Sequence, residues 1–302
     1  MRAVEIKQQE QEMRMTNTQK LEATLGVFPA LAEIKRLLIR RYWDRRKTFA
    51  LDFAGVHAVF STTDYYSNHW FYGPQNEKFV YEPTVTRLLV ERLRGSRSFA
   101  DLGANLGYFT VIAAVVLIDA PVFSFESDAT LVPLIIRNLE LNGRENGQVI
   151  CSAVSDVEGA TFTYTPHPFS FVEQIAGLDT SPFQVQLTTT TLSLDSYFAD
   201  KPVLPDLLKI DVDGGEMAVL RGMNRILAQP KVQIFLEVHA HHLPNFGSSA
   251  GTVLEFLYER GFKTYIVEHF RNDAESGLRE IFDERALSTP SGDMILVTRQ
   301  PI

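Results

Sequence analysis

The segment Asp101-Leu102-Gly103-Ala104-Asn105-Leu106-Gly107 contains residue types and spacings that suit ligand binding. It follows a short apolar run and precedes a longer one, as expected of a turn between a strand and a helix. Gly103 and Gly107 allow a tight turn and let the backbone approach a ligand closely. Unpaired N–H groups at the start of the following helix would face the same ligand. An ordinary strand-to-helix turn is the alternative interpretation of so short a motif.

Two carboxylates indicate which ligand this turn would accept. Asp101 stands at the carboxyl end of the first predicted strand, where it would repel a pyrophosphate but attract an ammonium group. Glu126 ends the next predicted strand, 25 residues later, where an acidic residue can bind both hydroxyls of a ribose. The pair predicts a nucleoside that carries positive charge and no phosphate, and S-adenosylmethionine meets that description. A surface glutamate is the alternative for Glu126.

Further acids follow the later strands. Asp211 and Glu237 also stand at predicted strand ends, and Asp213, Glu216 and His239 lie just beyond them. Ligands of open α/β sheets bind beyond the carboxyl ends of the strands, so these side chains are expected at one site. The alternative for Glu216 is a structural role as an acid at the N-terminus of a helix, where the helix dipole favours it. The alternative for His241 and His242, which follow His239, is a position in a solvated loop.

Methyl transfer to a hydroxyl requires the acceptor to be positioned and its proton removed. We therefore predict Asp211, Glu237 and His239 as the catalytic group, with His239 as the leading candidate for the base. A structural histidine is the alternative. The same acids and histidine could instead hold a divalent cation that orients the acceptor oxygen, although their spacing matches no recognised metal motif, so no metal ligand is assigned. The residues predicted to contact the donor are Asp101, Gly103, Asn105, Gly107, Glu126, Ser127, Ala153 and Asp211.

These residues must be positioned by a regular alternation of strands and helices that begins after Gly95. Such alternation predicts a doubly wound, mostly parallel α/β sheet, Rossmann-like in class, with helices on both faces. The last two apolar runs, Thr264–Val267 and Met294–Thr298, have no long helical pattern between them and predict an antiparallel pair at the sheet edge. The predicted strands are Ser98–Leu102, Val122–Glu126, Gln148–Val154, Leu207–Asp211 and Val232–Glu237, and the predicted helices are Thr84–Leu93, Gly107–Leu117, Asp128–Leu141, Gly215–Leu227 and Thr252–Arg260.

Several of these segments resemble the FkbM family of methyltransferases. The resemblance covers roughly residues 79 to 239 and departs from the family at Asp213, where a glutamate is usual. It implies the class I methyltransferase fold, S-adenosylmethionine as the donor, and commonly O-methylation of a sugar or another hydroxyl. It does not identify the acceptor. The segments that carry the resemblance are Tyr81–Pro83, Ala100–Phe109, Phe125–Glu126, Asn138–Asn142, Leu207–Glu216, Leu220–Gly222 and Phe235–His239.

Composition limits the other classes of function. A net charge of −8 does not favour nucleic-acid binding, and the single cysteine excludes an internal disulfide and a cysteine metal cluster. Apolar neighbours predict that Cys151 is a buried strand residue. Glu5, Glu10 and Glu12 interrupt any secretory signal pattern, so a cytoplasmic protein is expected.

Residues 1–80 are predicted to form an N-terminal extension, and residues 81–302 the catalytic domain. Within the extension, residues 1–20 predict a disordered start. The spacing of Leu31, Ile34, Leu38 and Tyr42 predicts a helix with a basic face. That helix would dock on the protein or, as the less favoured alternative, contact anionic membrane.

Between the third and fourth strands of the alternation, residues 156–198 interrupt the pattern and predict two strands, Thr161–Tyr164 and Val185–Thr191, joined by a lid-like loop. Within that loop His167, Phe169 and Phe171 are candidates to contact the acceptor. The sequence thus predicts an S-adenosylmethionine-dependent O-methyltransferase with a small-molecule or glycan acceptor. A donor-binding scaffold without activity and a nicotinamide oxidoreductase are the alternatives.

Overall fold

A computed structural model describes residues 46–72, 80–164, 186–271, 275–287, 289–300 and 302. The predicted disordered start, almost all of the basic helix, and His167, Phe169 and Phe171 lie outside these residues. The described strands are β1 (Thr48–Phe53), β2 (Val56–Ser61), β3 (Phe99–Leu102), β4 (Val122–Glu126), β5 (Gly147–Cys151), β6 (Ala153–Val154), β7 (Thr161–Tyr164), β8 (Leu187–Leu192), β9 (Leu207–Ile210), β10 (Gln233–Val238), β11 (Lys263–Val267), β12 (Leu278–Ile281) and β13 (Asp293–Thr298).

The helices connect these strands and cover the sheet. The described α-helices are α1 (Tyr65–Tyr72), α2 (Pro83–Leu93), α3 (Tyr108–Val116), α4 (Val132–Leu141), α5 (Leu194–Tyr197), α6 (Glu216–Arg221), α7 (Asn224–Leu227) and α8 (Ala250–Tyr258). The sequence predicted one helix from Gly215 to Leu227, but the chain turns at Gly222 between α6 and α7. A side chain at Gly222 would lie 2.3 Å from the carbonyl oxygen of Ser155, so the close passage of another segment requires glycine there. None of the described helices combines the length and the apolar character that crossing a membrane requires.

The central sheet of the described residues has eight strands in the order β12-β11-β13-β10-β9-β3-β4-β5. Five neighbouring strands, from β5 to β10, run parallel, which confirms the predicted mostly parallel α/β fold. The antiparallel pairing of β11 with β13 is also as predicted, but β13 is not at the edge. It lies between β10 and β11, and the edge is β12, a short strand that the sequence did not reveal.

Apolar cores lie on both faces of this sheet, as the alternation of side chains along a strand requires. Phe99, Leu207 and Phe235 face the core that α2 and α3 cover. On the other face, Leu102 and Ile210 pack in the core that includes residues of α6 and α8. Cys151, which the sequence predicted to be buried, is exposed, because β5 is the strand at the other edge of the sheet.

The hairpin of β1 and β2 and the helix α1 share the first of these cores. Phe60 of β2 stacks on Tyr108 of α3 with ring centroids 5.5 Å apart, and Phe71 of α1 lies 4.8 Å from Phe60. Residues 48–302 form one compact unit that includes this hairpin. Hydrogen bonds also connect the hairpin to α4 and to the turn that follows β3. The Ser61 backbone N–H donates to Asn138 Oδ1 at 2.7 Å, and Asn138 Nδ2 donates to the Leu106 carbonyl at 2.8 Å.

Candidate active site

The strand register brings the charged residues of three central strands onto one face of the sheet. Asp101 of β3 is the neighbour of Lys209 on β9, and Lys209 is the neighbour of Phe235 on β10. Because side chains alternate along a strand, Gly103, Asp211 and Glu237 follow two residues later on the same face. The predicted site residues therefore do lie together at this edge of the sheet.

A cavity of about 490 Å³ opens at this edge. Its wall includes residues from the ends of β3, β4, β9 and β10 and from the loops around them. The lining residues are Tyr81, Gly103, Asn105, Phe125, Glu126, Ser127, Ser152, Ala153, Val154, Ser155, Tyr164, Thr191, Asp211, Val212, Asp213, Gly215, Ala218, Glu237, His239, Phe246, Arg271 and Ser291.

At one end of the cavity, which we call the Glu126 end, backbone groups hold the carboxylate. Glu126 Oε2 accepts the Asn105 backbone N–H at 2.7 Å, and Oε1 accepts the Asp128 backbone N–H at 2.8 Å. The Ser127 hydroxyl also donates to Oε1 at 3.5 Å, so the carboxylate is fixed in the wall of the cavity. Asn105 has a left-handed backbone with φ of 52°, and its Oδ1 accepts the Tyr66 hydroxyl at 2.9 Å.

Gly103 fixes the turn that separates the two ends of the cavity. Its φ of 78° is in the region that glycine tolerates best, and a Cβ atom would lie 1.8 Å from the Asp211 carbonyl oxygen. Glycine is therefore required here because the end of β3 touches the chain just after β9. The sequence had suggested the close approach of a ligand as the reason.

At the other end, which we call the His239 end, charged side chains meet one another. Buried Lys209 donates to Asp211 Oδ2 at 2.8 Å. Arg271 forms a short ion pair with Glu237 Oε1 and donates to the Ser291 carbonyl at 2.8 Å. His239 Nδ1 is 2.8 Å from Oε1 of the buried Glu216, so this end combines three cationic groups with an excess of acids.

The second ring nitrogen of His239 faces three carboxylates. Its Nε2 lies 3.4 Å from Asp213 Oδ1, 3.7 Å from Glu237 Oε1 and 3.8 Å from Asp211 Oδ1. Asp211, Glu237 and His239 each offer one atom within 4.8 Å of the others, a grouping that could hold a metal ion.

The crowding of negative charge changes the pKa values of these groups. Burial opposes ionisation of Asp211, but Lys209 holds the pKa of Asp211 below its usual value. Burial, reinforced by Asp211 and Glu82, raises the pKa of Glu237 to about 9. Burial alone would lower the pKa of His239, but the hydrogen bond to Glu216 and the surrounding carboxylates raise it to about 9. At neutral pH the imidazole therefore carries a proton.

Most of the residues that the sequence selected line this one cavity. Gly103, Asn105, Glu126, Ser127 and Ala153 lie toward the Glu126 end. The predicted catalytic group, Asp211, Glu237 and His239, converges at the other end, as the strand order requires.

Two residues predicted to contact the ligand lie elsewhere. Asp101 is buried beneath the cavity, since β3 continues through Leu102, and its Oδ2 accepts the Thr110 hydroxyl of α3 at 2.6 Å. Burial raises the pKa of Asp101. Gly107 precedes α3 with φ of 75°, and a Cβ there would lie 2.8 Å from Ile135 of α4. Close packing of two helices therefore explains this glycine.

Other lining residues had no assigned role in the sequence analysis. Arg271 and Ser291 come from the segments on either side of β12, where no motif marks them. Tyr164 ends β7, and its hydroxyl accepts the Ala129 backbone N–H at 2.9 Å. Phe246 follows the histidines in a short 3-10 helix, Leu243–Phe246. Tyr81, Phe125, Val212 and Gly215 did carry a signal, because they lie in segments of the FkbM resemblance.

Comparisons with known proteins identify the family of this chain. The Methyltransferase FkbM domain matches residues 101–264, which is more than half of the chain. The hexuronic acid methyltransferase AglP of Haloferax volcanii is 26% identical over 199 residues, covering 64% of this chain and 74% of the relative.

Solved structures also show similarity. An FkbM methyltransferase from Methylobacillus flagellatus matches with a TM-score of 0.39 and 16% identity, over 67% of this chain and 43% of that chain. An O-methyltransferase from Bacillus cereus, solved in complex with SAH, matches with a TM-score of 0.39 and 14% identity, over 72% and 81% of the two chains. On the match to the FkbM domain, the chain is a methyltransferase and belongs to the FkbM family.

Proposed function

We propose that this methyltransferase uses S-adenosylmethionine to methylate a hydroxyl of a sugar or glycoconjugate. The observation that carries the proposal is a single cavity that joins Glu126 at one end to Asp211, Glu237 and His239 at the other. All four residues lie within the segment that the FkbM domain matches. The relative named as a hexuronic acid methyltransferase supports a sugar as the acceptor.

The residues of the cavity fit this donor. Its volume of about 490 Å³ falls within the range of small-molecule sites, about 300–1,000 Å³. Glu126 lines the cavity at the end of β4, where a carboxylate can accept from the two hydroxyls of a ribose. At neutral pH the lining carries three ionised carboxylates, Glu126, Asp211 and Asp213, against Arg271 and the protonated His239, and this excess of negative charge favours a ligand that bears positive charge. The same excess of acids disfavours the pyrophosphate of a nicotinamide dinucleotide.

The donor and the chain have separate tasks. When bound, S-adenosylmethionine supplies a methyl group on a sulfonium, and the carbon–sulfur bond breaks with its electron pair left on sulfur as the acceptor oxygen bonds to carbon. Glu126 and the Gly103–Asn105 turn hold the nucleoside. Asp211, Glu237 and His239 orient the acceptor, and positioning of this kind lowers the barrier by as much as about 7–11 kcal/mol.

The acceptor hydroxyl must also lose its proton, and Asp213 is the group best placed to take it. Lys209 lowers the pKa of Asp211 and so weakens it as a base, whereas Glu237 and His239, each with a pKa raised to about 9, already carry a proton at neutral pH. Asp213 lines the cavity with its side chain 65% exposed, so it can pass the proton to water. We therefore assign the base to Asp213 and positioning roles to the three residues that the sequence favoured.

Two measurements test the proposal. S-adenosylhomocysteine should raise the Tm, because a ligand that binds only the native state stabilises it by about 2.7 kcal/mol at 100 times its Kd. The protein is then incubated with an isotopically labelled methyl donor and with neutral hexoses, hexuronic acids or oligosaccharides that contain them. Label should enter a sugar in an alkali-stable ether, whereas an alkali-labile product would indicate a carboxyl acceptor.

An unchanged Tm at saturating S-adenosylhomocysteine would contradict the donor assignment. Donor binding with no transfer to any sugar of the panel would favour the scaffold alternative instead.

A further inference from the structure

The orientation of His239 suggests a second ligand for this site. Glu216 Oε1 accepts from both Nδ1 of the ring, at 2.8 Å, and the backbone N–H of His239, at 3.2 Å. Glu216 is fully buried and the His239 side chain is 7% exposed, so this pair fixes the ring plane. Nε2 is directed into the cavity, and among the described residues no hydrogen bond of ordinary geometry reaches it. A carboxylate behind one ring nitrogen is the arrangement that orients histidine ligands of metals.

The distances around Nε2 match a coordination sphere better than a set of hydrogen bonds. Oxygens of Asp213, Glu237 and Asp211 lie 3.4, 3.7 and 3.8 Å from it, and two of these separations exceed hydrogen-bond length. Neighbouring ligands of a cation with bonds of about 2.1 Å stand about 3.0–3.4 Å apart. Movements of a few tenths of an ångström would bring the oxygens of Asp211 and Glu237 to that distance from Nε2, and the three candidate ligand atoms already lie within 4.8 Å of one another.

The balance of fixed charge points to an ion of charge +2. Asp211, Asp213, Glu216 and Glu237 contribute four carboxylates around His239. Within the described residues, the cations paired with this group are Lys209 and Arg271. A bound cation would displace the protons of Glu237 and His239, and the group with four ionised carboxylates and a neutral imidazole then carries two negative charges for the cation to balance. Lys209 pairs with Asp211 Oδ2 and leaves Oδ1 facing Nε2. Arg271 pairs with Glu237 Oε1, the oxygen that faces Nε2, so a bound cation would share that oxygen with Arg271.

We propose that Asp211, Glu237 and His239 bind one divalent cation of the first transition series, with Asp213 beside it and Glu216 orienting the histidine. One imidazole nitrogen among carboxylate ligands suits Mn²⁺, Fe²⁺ or Zn²⁺ better than Ca²⁺ or Mg²⁺, which prefer oxygen ligands. The purpose of the ion rests on the proposed function: bound to the acceptor oxygen, it would make the hydroxyl proton easier for Asp213 to remove.

The test is calorimetric titration of the chelator-treated, full-length protein with Mn²⁺ alone. We expect one saturable site in the wild type. His239→Asn should weaken the affinity at least about tenfold, and Glu216→Gln by about 10–100-fold, as for other residues that orient a ligand. The matched control is His241→Asn, because His241 is an exposed residue of the same loop that does not line the cavity. It should leave the affinity unchanged.

Absence of saturable Mn²⁺ binding to the folded wild type would overturn the proposal, as would equal losses in His239→Asn and His241→Asn. If the variants of buried residues fail to fold, Asp213→Asn changes an exposed side chain. A several-fold loss of Mn²⁺ affinity there supports the site, and an unchanged affinity counts against it.

A parallel titration with S-adenosylhomocysteine separates the two proposals. Binding of the nucleoside without Mn²⁺ binding removes the cation site and leaves the proposed function. Binding of Mn²⁺ without the nucleoside removes the proposed donor and leaves the cation site.

Discussion

The two ends of the cavity are built in different ways. At the Glu126 end, backbone N–H groups of Asn105 and Asp128 hold one carboxylate, and the residues involved lie within 24 positions of one another. At the His239 end, side chains from β9, β10, the start of α6 and the segment around Arg271 hold one another by charge. The first arrangement is local in the chain, and the second exists only once the sheet has formed.

This difference predicts different responses to substitution. A site built on backbone donors keeps its shape when one side chain changes, so its variants should lose ligand affinity in proportion to the contact removed. A site built from mutually paired charges depends on every member, because removal of one partner leaves a buried charge uncompensated. The predictions below test that contrast, in order of decreasing effect.

The largest effect is expected from His239→Asn, which removes the ring that faces Asp211, Asp213 and Glu237. The rate of methyl transfer at saturating donor should fall by about 10²-fold, the cost of misplacing an acceptor that His239 helps to position. Affinity for S-adenosylhomocysteine should stay within a factor of about three, because Glu126 and its backbone donors are untouched. Turnover kinetics and calorimetry measure the two quantities. A comparable loss of donor affinity would show that the two ends are not independent.

Gly103→Ala should damage both ends, because this turn separates them. The new methyl group would meet the Asp211 carbonyl oxygen, and alanine would be held at φ of 78°. Gly143→Ala is the matched control, since Gly143 also has positive φ, 61°, but no atom lies within 4 Å of the added carbon. The control should cost about 1–2 kcal/mol for the backbone alone. Gly103→Ala should cost about 1–3 kcal/mol more, measured by denaturant unfolding. Equal costs would remove the steric argument.

Glu126→Gln tests the end that backbone donors hold. The amide keeps one acceptor oxygen for Asn105 or Asp128 but loses the charge, and a hydrogen bond to a charged group is worth about 1.5–3 kcal/mol. Affinity for S-adenosylhomocysteine should therefore fall by about 10–100-fold, while the rate at saturating donor changes little. A lower rate with unchanged affinity would place Glu126 in the chemical step instead.

The contrast between the ends also explains what the sequence could predict. The strand-turn-helix pattern of residues 99–116 and the acid at the end of β4 are contiguous signals, and they correctly placed Gly103, Asn105 and Glu126 on the cavity. The convergence of Asp211, Glu237 and His239 followed from strand order, because parallel strands end at the same edge.

Other features depend on distances that no local pattern reports. The predicted strand ended at Leu102, as the structure has it, but Asp101 lies one residue before that end and its side chain is buried against Thr110 of α3. Gly107 has a positive φ, and its missing side chain allows close packing against Ile135, a residue of another helix. Arg271 reaches Glu237 from a segment with no periodicity, and the internal position of β13 depends on pairing across more than 50 residues.

The smallest effect concerns the link between the Glu126 end and the N-terminal hairpin and helix. The Tyr66 hydroxyl donates to Asn105 Oδ1 at 2.9 Å, and the Asn105 backbone donates to Glu126 at 2.7 Å. Tyr66→Phe removes this hydrogen bond, which is worth about 0.5–1.5 kcal/mol, and should weaken S-adenosylhomocysteine binding about two- to tenfold.

The matched control for this prediction is Tyr72→Phe, because Tyr72 lies on the same helix but donates to the Thr48 carbonyl, away from the cavity. The control removes the same atom and a hydrogen bond of similar length, so it should change Tm by a similar amount and leave the nucleoside affinity unaltered. Calorimetry on both variants measures the difference. If Tyr66→Phe and Tyr72→Phe bind the nucleoside equally well, Asn105 keeps its left-handed turn without help from the hairpin. The Glu126 end would then be specified wholly by the strand-turn-helix segment, and the contrast with the His239 end would be sharper still.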